Sequence, residues 1–281
     1  MIGRAVQAKF GPSYPAPGNR NFMRKGEQML TLYHWEPNAN SGKPILALEE
    51  KGVAFESHFL DLLNFDQHAP DYLRINPDGT IPAMVHDSVM MNESTAIMEY
   101  VDAAFDGPAL RPDDPEERWR MRWWMKFCDQ YFAPAASMIG WNAFIGPMVR
   151  KRDPQELQRK IDAIPMEERR IAWSKAIYGT FTPEELAESD RRVAFAAAKF
   201  EENLERHEWV AGGTFSLADI NAFNLIYFMP ATPDGHVGPE KTPRTMDWLY
   251  RMYERPASKR AWSHGRMLTW DTLSHLQRPS S

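Results

Sequence analysis

Cysteine is nearly missing from this chain: Cys128 is the single one in 281 residues. One thiol excludes an intrachain disulfide, a cysteine-rich zinc site and a dithiol redox motif. No apolar run approaches the roughly 18 residues that a membrane-spanning helix needs. A basic excess is absent too, since the formal net charge is −5, which speaks against a general nucleic-acid binder. The eight histidines are scattered, and no pair has the spacing of a zinc motif, so no metal site is expected. Internal repeats with a period of about 20–50 residues are also lacking. What is present is 43% hydrophobic, 12% aromatic and 25% charged residues, the composition of a globular protein with room for two modest domains. A reducing compartment, the cytoplasm, is the expected location, with neither nucleic acid nor membrane as a partner.

Residues 1–28 differ from the rest. They hold Arg4, Lys9, Arg20, Arg24 and Lys25 against Glu27 alone, with Gly11, Pro12, Pro15, Pro17 and Gly18 and no periodicity. The apolar stretch of a secretory signal is not there. The segment reads as a disordered or extended tail, as a start placed upstream of Met23 or Met29, or as a targeting peptide.

Ordered pattern begins near residue 29. Leu30–Trp35 alternates and is rich in strand formers, Glu36–Ser41 is turn-rich, and Ser41 reads as the N-cap of a helix with Pro44 in its first turn. Gly52 closes that helix, and Val53–Phe59 alternates again. Strand, helix and strand at this spacing form a parallel βαβ unit. A short helical stretch over His68–Ile75 follows, then two brief strands, Ala83–His86 and Val89–Asn92, around an Asp87-Ser88 turn. Glu93–Phe105 carries Ile97, Tyr100, Val101 and Ala104 on one helical face. The order βαβαββα over 29–107 predicts one α/β domain. A proline-rich linker, 108–115, leads to an all-helical domain over 116–266, in which Ser216-Leu-Ala-Asp219 is a capping-box variant, and to a tail over 267–281.

Three short patterns in the first domain suit one ligand. Proline just before a strand, as at Gly79-Thr-Ile-Pro82, is often cis, which leaves the Ile81 main chain free to pair with an extended peptide. Glu93-Ser94 opens a helix, where backbone N–H groups and a hydroxyl bind an anion and the carboxylate holds an ammonium. Asn40-Ser41 sits where a helix dipole and a hydroxyl stabilise an anion above them. Each pattern alone also fits a plain cap or loop. Cys128, within an apolar helix, reads as packing. Mixed charges such as Glu167-Glu-Arg-Arg170 read as solvated faces.

Together, Leu30-Thr-Leu-Tyr33, Ser41 before a short helix, Asn76-Pro-Asp-Gly-Thr-Ile-Pro82 and Glu93-Ser94 resemble the thioredoxin-like domain of glutathione transferases. Phe215-Ser-Leu-Ala-Asp219-Ile220 is similar to that family's helical half. Within it, Asn40-Ser-Gly-Lys-Pro44, Glu93-Ser-Thr95, Ile139-Gly-Trp141 and the long insertion over 147–181 resemble the bacterial lignin β-aryl etherases of the LigF type.

The resemblance implies a co-substrate, glutathione. Glu93 and Ser94 would hold its γ-glutamyl end, Ile81 beside cis-Pro82 its cysteinyl main chain, and Gln67 or His68 its glycyl carboxylate. Ser41, with Asn40, would face the sulfur. A hydrophobic aryl ether would lie in an aromatic cleft drawn from Trp35, Tyr131, Met138, Trp141 and Phe144, residues that otherwise read as core. The same resemblance implies a homodimer, or a heterodimer with a related subunit. Three activities follow from it: a β-aryl etherase, a general or dehalogenase-like glutathione transferase, and a weakly active subunit of a heterodimeric etherase.

Overall fold

The alternating run Leu30–His34 and the mostly apolar run Ala83–His86 build the centre of a four-stranded sheet. The computed structural model describes residues 30–232 and 235–279, so the basic opening segment lies outside the described residues. Strands β1 (Leu30–His34), β2 (Glu56–Phe59), β3 (Ala83–His86) and β4 (Val89–Met91) are ordered β2-β1-β3-β4. β1 and β2 are parallel, as a βαβ unit requires, and β3 runs antiparallel to both β1 and β4. The second strand starts at Glu56 rather than Val53, because its outward residues are solvent-exposed and only the stretch beside β1 finds a ladder.

The crossover helix α1 (Ala39–Lys51) buries Ile45, Leu46, Ala47 and Leu48 and ends at Gly52 in the left-handed conformation. Its N-cap is Asn38, three residues before Ser41, so Ser41 is the third helical residue and Pro44 falls in the second turn. Pro44 therefore removes an intrahelical bond to the Asn40 carbonyl. Gly42 lets α1 press on the helical domain: a Cβ there would lie 1.9 Å from Asn224 Oδ1 and 2.5 Å from the Pro37 carbonyl. Short turns and α2 (Pro70–Leu73) precede β3, and α3 (Ser94–Ala104) follows β4. The chain then crosses over through Leu110, which is buried and anchored by Asp102.

From Pro115 to Val149 the backbone is a nearly unbroken helix: α4 (Pro115–Phe127), a π-helical stretch (Cys128–Phe132), α5 (Ala133–Gly140), a second π-helical stretch (Trp141–Ile145) and α6 (Gly146–Val149). Pro134 and Pro147 each lack the N–H that would bond four residues back, and each follows directly on a widened turn that absorbs the loss. Next come α7 (Pro154–Asp162), α8 (Glu167–Tyr178) and the 22-residue α9 (Pro183–Leu204), then α10 (Leu217–Ile226), α11 (Pro243–Glu254) and α12 (Pro256–Trp262). The expected box at Ser216 and Asp219 is formed in full.

Residues 267–279 are not a trailing tail. A short helical turn over Trp270–Leu276 buries Leu273 and Leu276, and Trp270 stacks on Tyr253 at 4.1 Å. The buried Glu36 carboxylate ties this segment to the loop before α1 by accepting from the N–H groups of Arg266, Met267 and Leu268.

One apolar core runs through both halves, from Leu32, Ile45 and Met84 to Phe200, Phe223 and Trp248. A second, smaller core belongs to the insertion: Val149, Leu157, Ile161, Ile164 and Ile177 close on Phe65 of the first domain. Lys160 reinforces that seam by donating to the Asn64 carbonyl at 2.8 Å, and Arg152 by donating to Asn64 Oδ1 at 3.1 Å. The insertion is thus docked on the sheet domain.

Candidate functional site

The sheet order determines which loops meet. The C-terminal end of β1, the start of β3 and the end of β4 lie at one end of the sheet, as the Tyr33–Ala83 and Met84–Met91 pairings require. That end carries the loop into α1, then the Ile81-Pro82 segment, then the N-terminus of α3, side by side.

The Ile81-Pro82 bond is cis, and among the described residues the Ile81 main chain makes no backbone hydrogen bond. The loop before it is pinned. The Thr80 carbonyl accepts from Tyr72 Oη at 2.5 Å and from Asn76 Nδ2 at 2.8 Å, and Asn92 donates to Asp78. Gly79 has φ +59, and a Cβ there would lie 2.8 Å from the His68 ring, so glycine is required on both grounds. Ser94 is buried at the start of α3, while Glu93 is exposed, with φ 66 and ψ 102.

At the start of α1 the cap is left open. Asn38 makes no capping bond; its Nδ2 donates to Tyr227 Oη at 3.1 Å instead. The N–H groups of Ala39, Asn40 and Ser41 have no partner among the described residues. Ser41 is buried and its Oγ accepts from the Trp35 N–H at 3.2 Å, which leaves its own proton free to be donated. A hydroxyl donor and three unpaired amides at a helix N-terminus are an anion site.

A cavity of about 410 Å³ opens over that site, between the domains. Its sheet-domain wall includes Trp35, Asn38, Asn40, Ser41, Gln67, His68 and Ile81. Its helical wall is Pro134, Ser137, Met138 and Trp141 of the α4–α6 run, with Arg169, Ala172, Trp173 and Ala176 of α8 and then Phe181. Buried polar atoms without a protein partner gather here: Trp35 Nε1, Asn38 Oδ1, both amide atoms of Gln67, and His68 Nδ1. Unpaired buried polar atoms are costly, and these belong to residues that line the same cavity. Burial, aided by the positive charge of Arg169, lowers the His68 pKa to about 4, so the ring is neutral at pH 7.

Of the expected site residues, Ser41, Asn40, Ile81, Gln67, His68, Trp35, Met138 and Trp141 line this cavity. Glu93 and Ser94 lie beyond its lining, two strands along the same sheet end, and Pro82 is buried behind it. Tyr131 and Phe144 are elsewhere, which corrects the expectation for both. Tyr131 stacks on Phe127 at 5.2 Å with the Arg192 guanidinium over its ring, part of an outer aromatic row with Trp123. Phe144, in the second π-helical stretch, is 52% exposed, because the widened turn rotates it off the cavity face.

Arg169, Ala172, Trp173 and Ala176 were not anticipated as lining residues, although their i, i+3, i+4, i+7 spacing marks a single helix face. Cys128 is fully buried, and burial pushes its thiol pKa up, as suits a packing residue. No described helix is long and apolar enough to cross a membrane.

A thioredoxin-like sheet with a cis-proline loop, joined to an all-helical domain across a half-polar, half-aromatic cleft, is the architecture of a thiol-tripeptide transferase. Two family models match the chain: "Glutathione S-transferase, N-terminal domain" over residues 28–103 and "Glutathione S-transferase, C-terminal domain" over 132–256. Protein LigF of Sphingobium sp. is 39% identical over 237 residues, 82% of this chain and 91% of that protein. Glutathione S-transferase F10 of Arabidopsis thaliana is 25% identical over 80% of this chain and 90% of its own. Among solved structures, the β-etherase LigF from Sphingobium sp. strain SYK-6 superposes with a TM-score of 0.80 at 38% identity, covering 84% of this chain and 99% of that one. Glutathione transferase F7 from Populus trichocarpa shares the fold at 22% identity and a TM-score of 0.66, over 85% of this chain and all of that one. The chain belongs to the glutathione S-transferase family, and its co-substrate is glutathione.

Proposed function

We propose that this glutathione transferase is a β-aryl etherase, in which the glutathione thiolate displaces a phenol from the β-carbon of an α-keto β-aryl ether. The S–C bond forms at the β-carbon as the bond from that carbon to the aryloxy oxygen breaks; the phenolate departs and takes a proton, and a glutathione thioether remains. The carrying observation is the cleft itself, with an anion site at the start of α1 facing a wall of Met138, Trp141 and Trp173. Likeness to LigF, whose solved structure is titled a β-etherase, supports the same reading.

The demands on the site are modest. A free thiol has a pKa near ~8.5, and lowering it by about two units needs about 2.7 kcal/mol of preference for the anion. One hydrogen bond to a charged group is worth roughly 1.5–3 kcal/mol, and a partly buried helix N-terminus up to about 2. Ser41 and the open amides of α1 are sufficient together. Asn40 stands beside them as the second candidate donor. Because the adjacent ketone activates the β-carbon, the remaining work is orientation of a two-ring substrate between aromatic side chains.

In this reading Glu93 and Ser94 bind the γ-glutamyl group, Ile81 the cysteinyl main chain, and Gln67 and His68 the glycyl end. The cytoplasm and a dimer follow from the family likeness, with the outer aromatic row on α4 as a fitting subunit contact. The test is phenol release from each enantiomer of a ketone-bearing β-aryl ether, with glutathione and the purified protein. Thioether and phenol in equal amounts are expected. Turnover of generic aryl halides with no phenol release from either enantiomer sinks the etherase reading.

A further inference from the structure

Arg169 is a cation on the cavity wall with no assigned role. It sits on the inward face of α8 and is exposed, and no carboxylate pairs with it among the described residues. The insertion that carries it is docked on the sheet domain through Phe65 and Asn64, two to four residues before Gln67 and His68. Trp173, one turn along α8, lies 4.9 Å from the Phe65 ring and 5.8 Å from the His68 ring. Arg169 is therefore held at the Gln67–His68 end of the cavity.

That end has hydrogen-bonding capacity without charge. Gln67 is neutral, with both amide atoms buried and unpaired. His68 is neutral at pH 7, in part because Arg169 stands near it. Glutathione carries two carboxylates and one ammonium at that pH. Its γ-glutamyl end holds one charge of each sign, so the glycyl carboxylate is the net charge the protein must meet. Neutral donors alone meet a carboxylate poorly, whereas a guanidinium gives short charge-assisted bonds in a fork that fits it.

We propose that Arg169 closes the glutathione site from the helical side, donating to the glycyl carboxylate while Gln67 and His68 supply the neutral contacts. The insertion then belongs to the co-substrate site as well as to the electrophile cleft. This inference rests on the placement of glutathione proposed above, and it commits Arg169 to the tripeptide and not to an acidic group on the electrophile.

Calorimetric titration of the full chain and of Arg169→Gln with glutathione and with its glycyl ethyl ester tests it. The substitution is expected to weaken glutathione binding about tenfold, to leave the affinity for the ester unchanged, and to leave the melting temperature where it was, since the side chain is unpaired. Arg169→Lys should recover part of the loss. Equal weakening of acid and ester overturns the assignment, as does unchanged glutathione affinity, even if the KM for an acidic electrophile rises. Absence of glutathione binding by the unaltered protein overturns the underlying placement as well, and is told apart because the first titration already fails.

Discussion

Ser41 is fixed by a bond it accepts, from the Trp35 N–H, so its proton has one useful direction, toward the cavity. Ser41→Ala removes that donor and leaves the helix N-terminus. The bound thiol's pKa is expected to rise by about 1–2 units, with turnover at pH 7 reduced about three- to twenty-five-fold and restored at higher pH. Thiolate absorbance of the glutathione complex, titrated against pH, reads this directly; an unshifted curve moves the role to Asn40 or the open amides. Glu93 gives a second residue-scale expectation. Its φ of 66 and ψ of 102 are unfavourable for any side chain, and strain of this kind costs about 1–3 kcal/mol. Glu93→Gly relieves it and Glu93→Ala does not. Both variants should lose glutathione affinity, while only the glycine variant should match or exceed the parent in urea stability, by about 1 kcal/mol over alanine.

At the scale of elements, α1 meets the first π-helical stretch through an ion pair whose partners are unequally exposed. Lys43 is 1% exposed and donates to Asp129, which is one-third exposed, at 2.7 Å; Asn221 donates to the same oxygen. Asp129→Ala leaves an ammonium buried without its carboxylate and is expected to cost about 3 kcal/mol. Lys43→Met leaves a carboxylate that keeps Asn221 and water, and should cost about 1 kcal/mol or less. Urea denaturation of both variants tests the order; equal costs would mean that water reaches Lys43 once Asp129 is gone. Elements were also where the sequence was most legible. The βαβ order, Gly52, the Asp87-Ser88 hairpin turn and the Ser216–Asp219 box depend on local spacing and cap chemistry, and the structure has all of them. The start of α1 was not legible, because Ser41 is as good a capping residue as Asn38. Gly42 decides the matter, by contacts to Pro37 and Asn224 that no local pattern records. Tyr131 and Phe144 were misplaced because helical spacing presumes 3.6 residues per turn, and each lies inside a π-helical stretch, whose wider turn carries it off the cavity face.

Across the whole molecule, buried titratable groups on different elements combine into one pH response. His34 is completely buried; its Nδ1 bonds the Trp35 carbonyl at 2.5 Å and its Nε2 meets Ser57 Oγ at 2.6 Å, and burial lowers its pKa to about 4. His68 is lowered to about 4 by burial and by Arg169. Between pH 4 and 6.5 the unfolded chain binds two protons that the native protein refuses, so both groups make stability rise with pH. Asp219 acts in the opposite sense. Burial raises its pKa to about 6 from an ordinary 3.8, against the hydrogen bonds it accepts from Val210, Trp248 and Ser216. From about pH 4 to 6 the native carboxyl keeps a proton that the unfolded chain has lost, and this term makes stability fall as pH rises. The net is one proton taken up on unfolding, so stability should drop by about 1.4 kcal/mol per unit as pH goes from 6 toward 4.5. Glu49, held below the usual carboxylate range by bonds from His264 and Arg260 despite its burial, adds in the same direction as the histidines at the acid end. Urea midpoints measured across that window give the slope, and His34→Asn, which keeps the polar contacts but cannot take the proton, should flatten it. A slope unchanged by that substitution would mean that His34 is protonated in the native protein, and that the Trp35 carbonyl at the mouth of the cavity is bonded to an imidazolium.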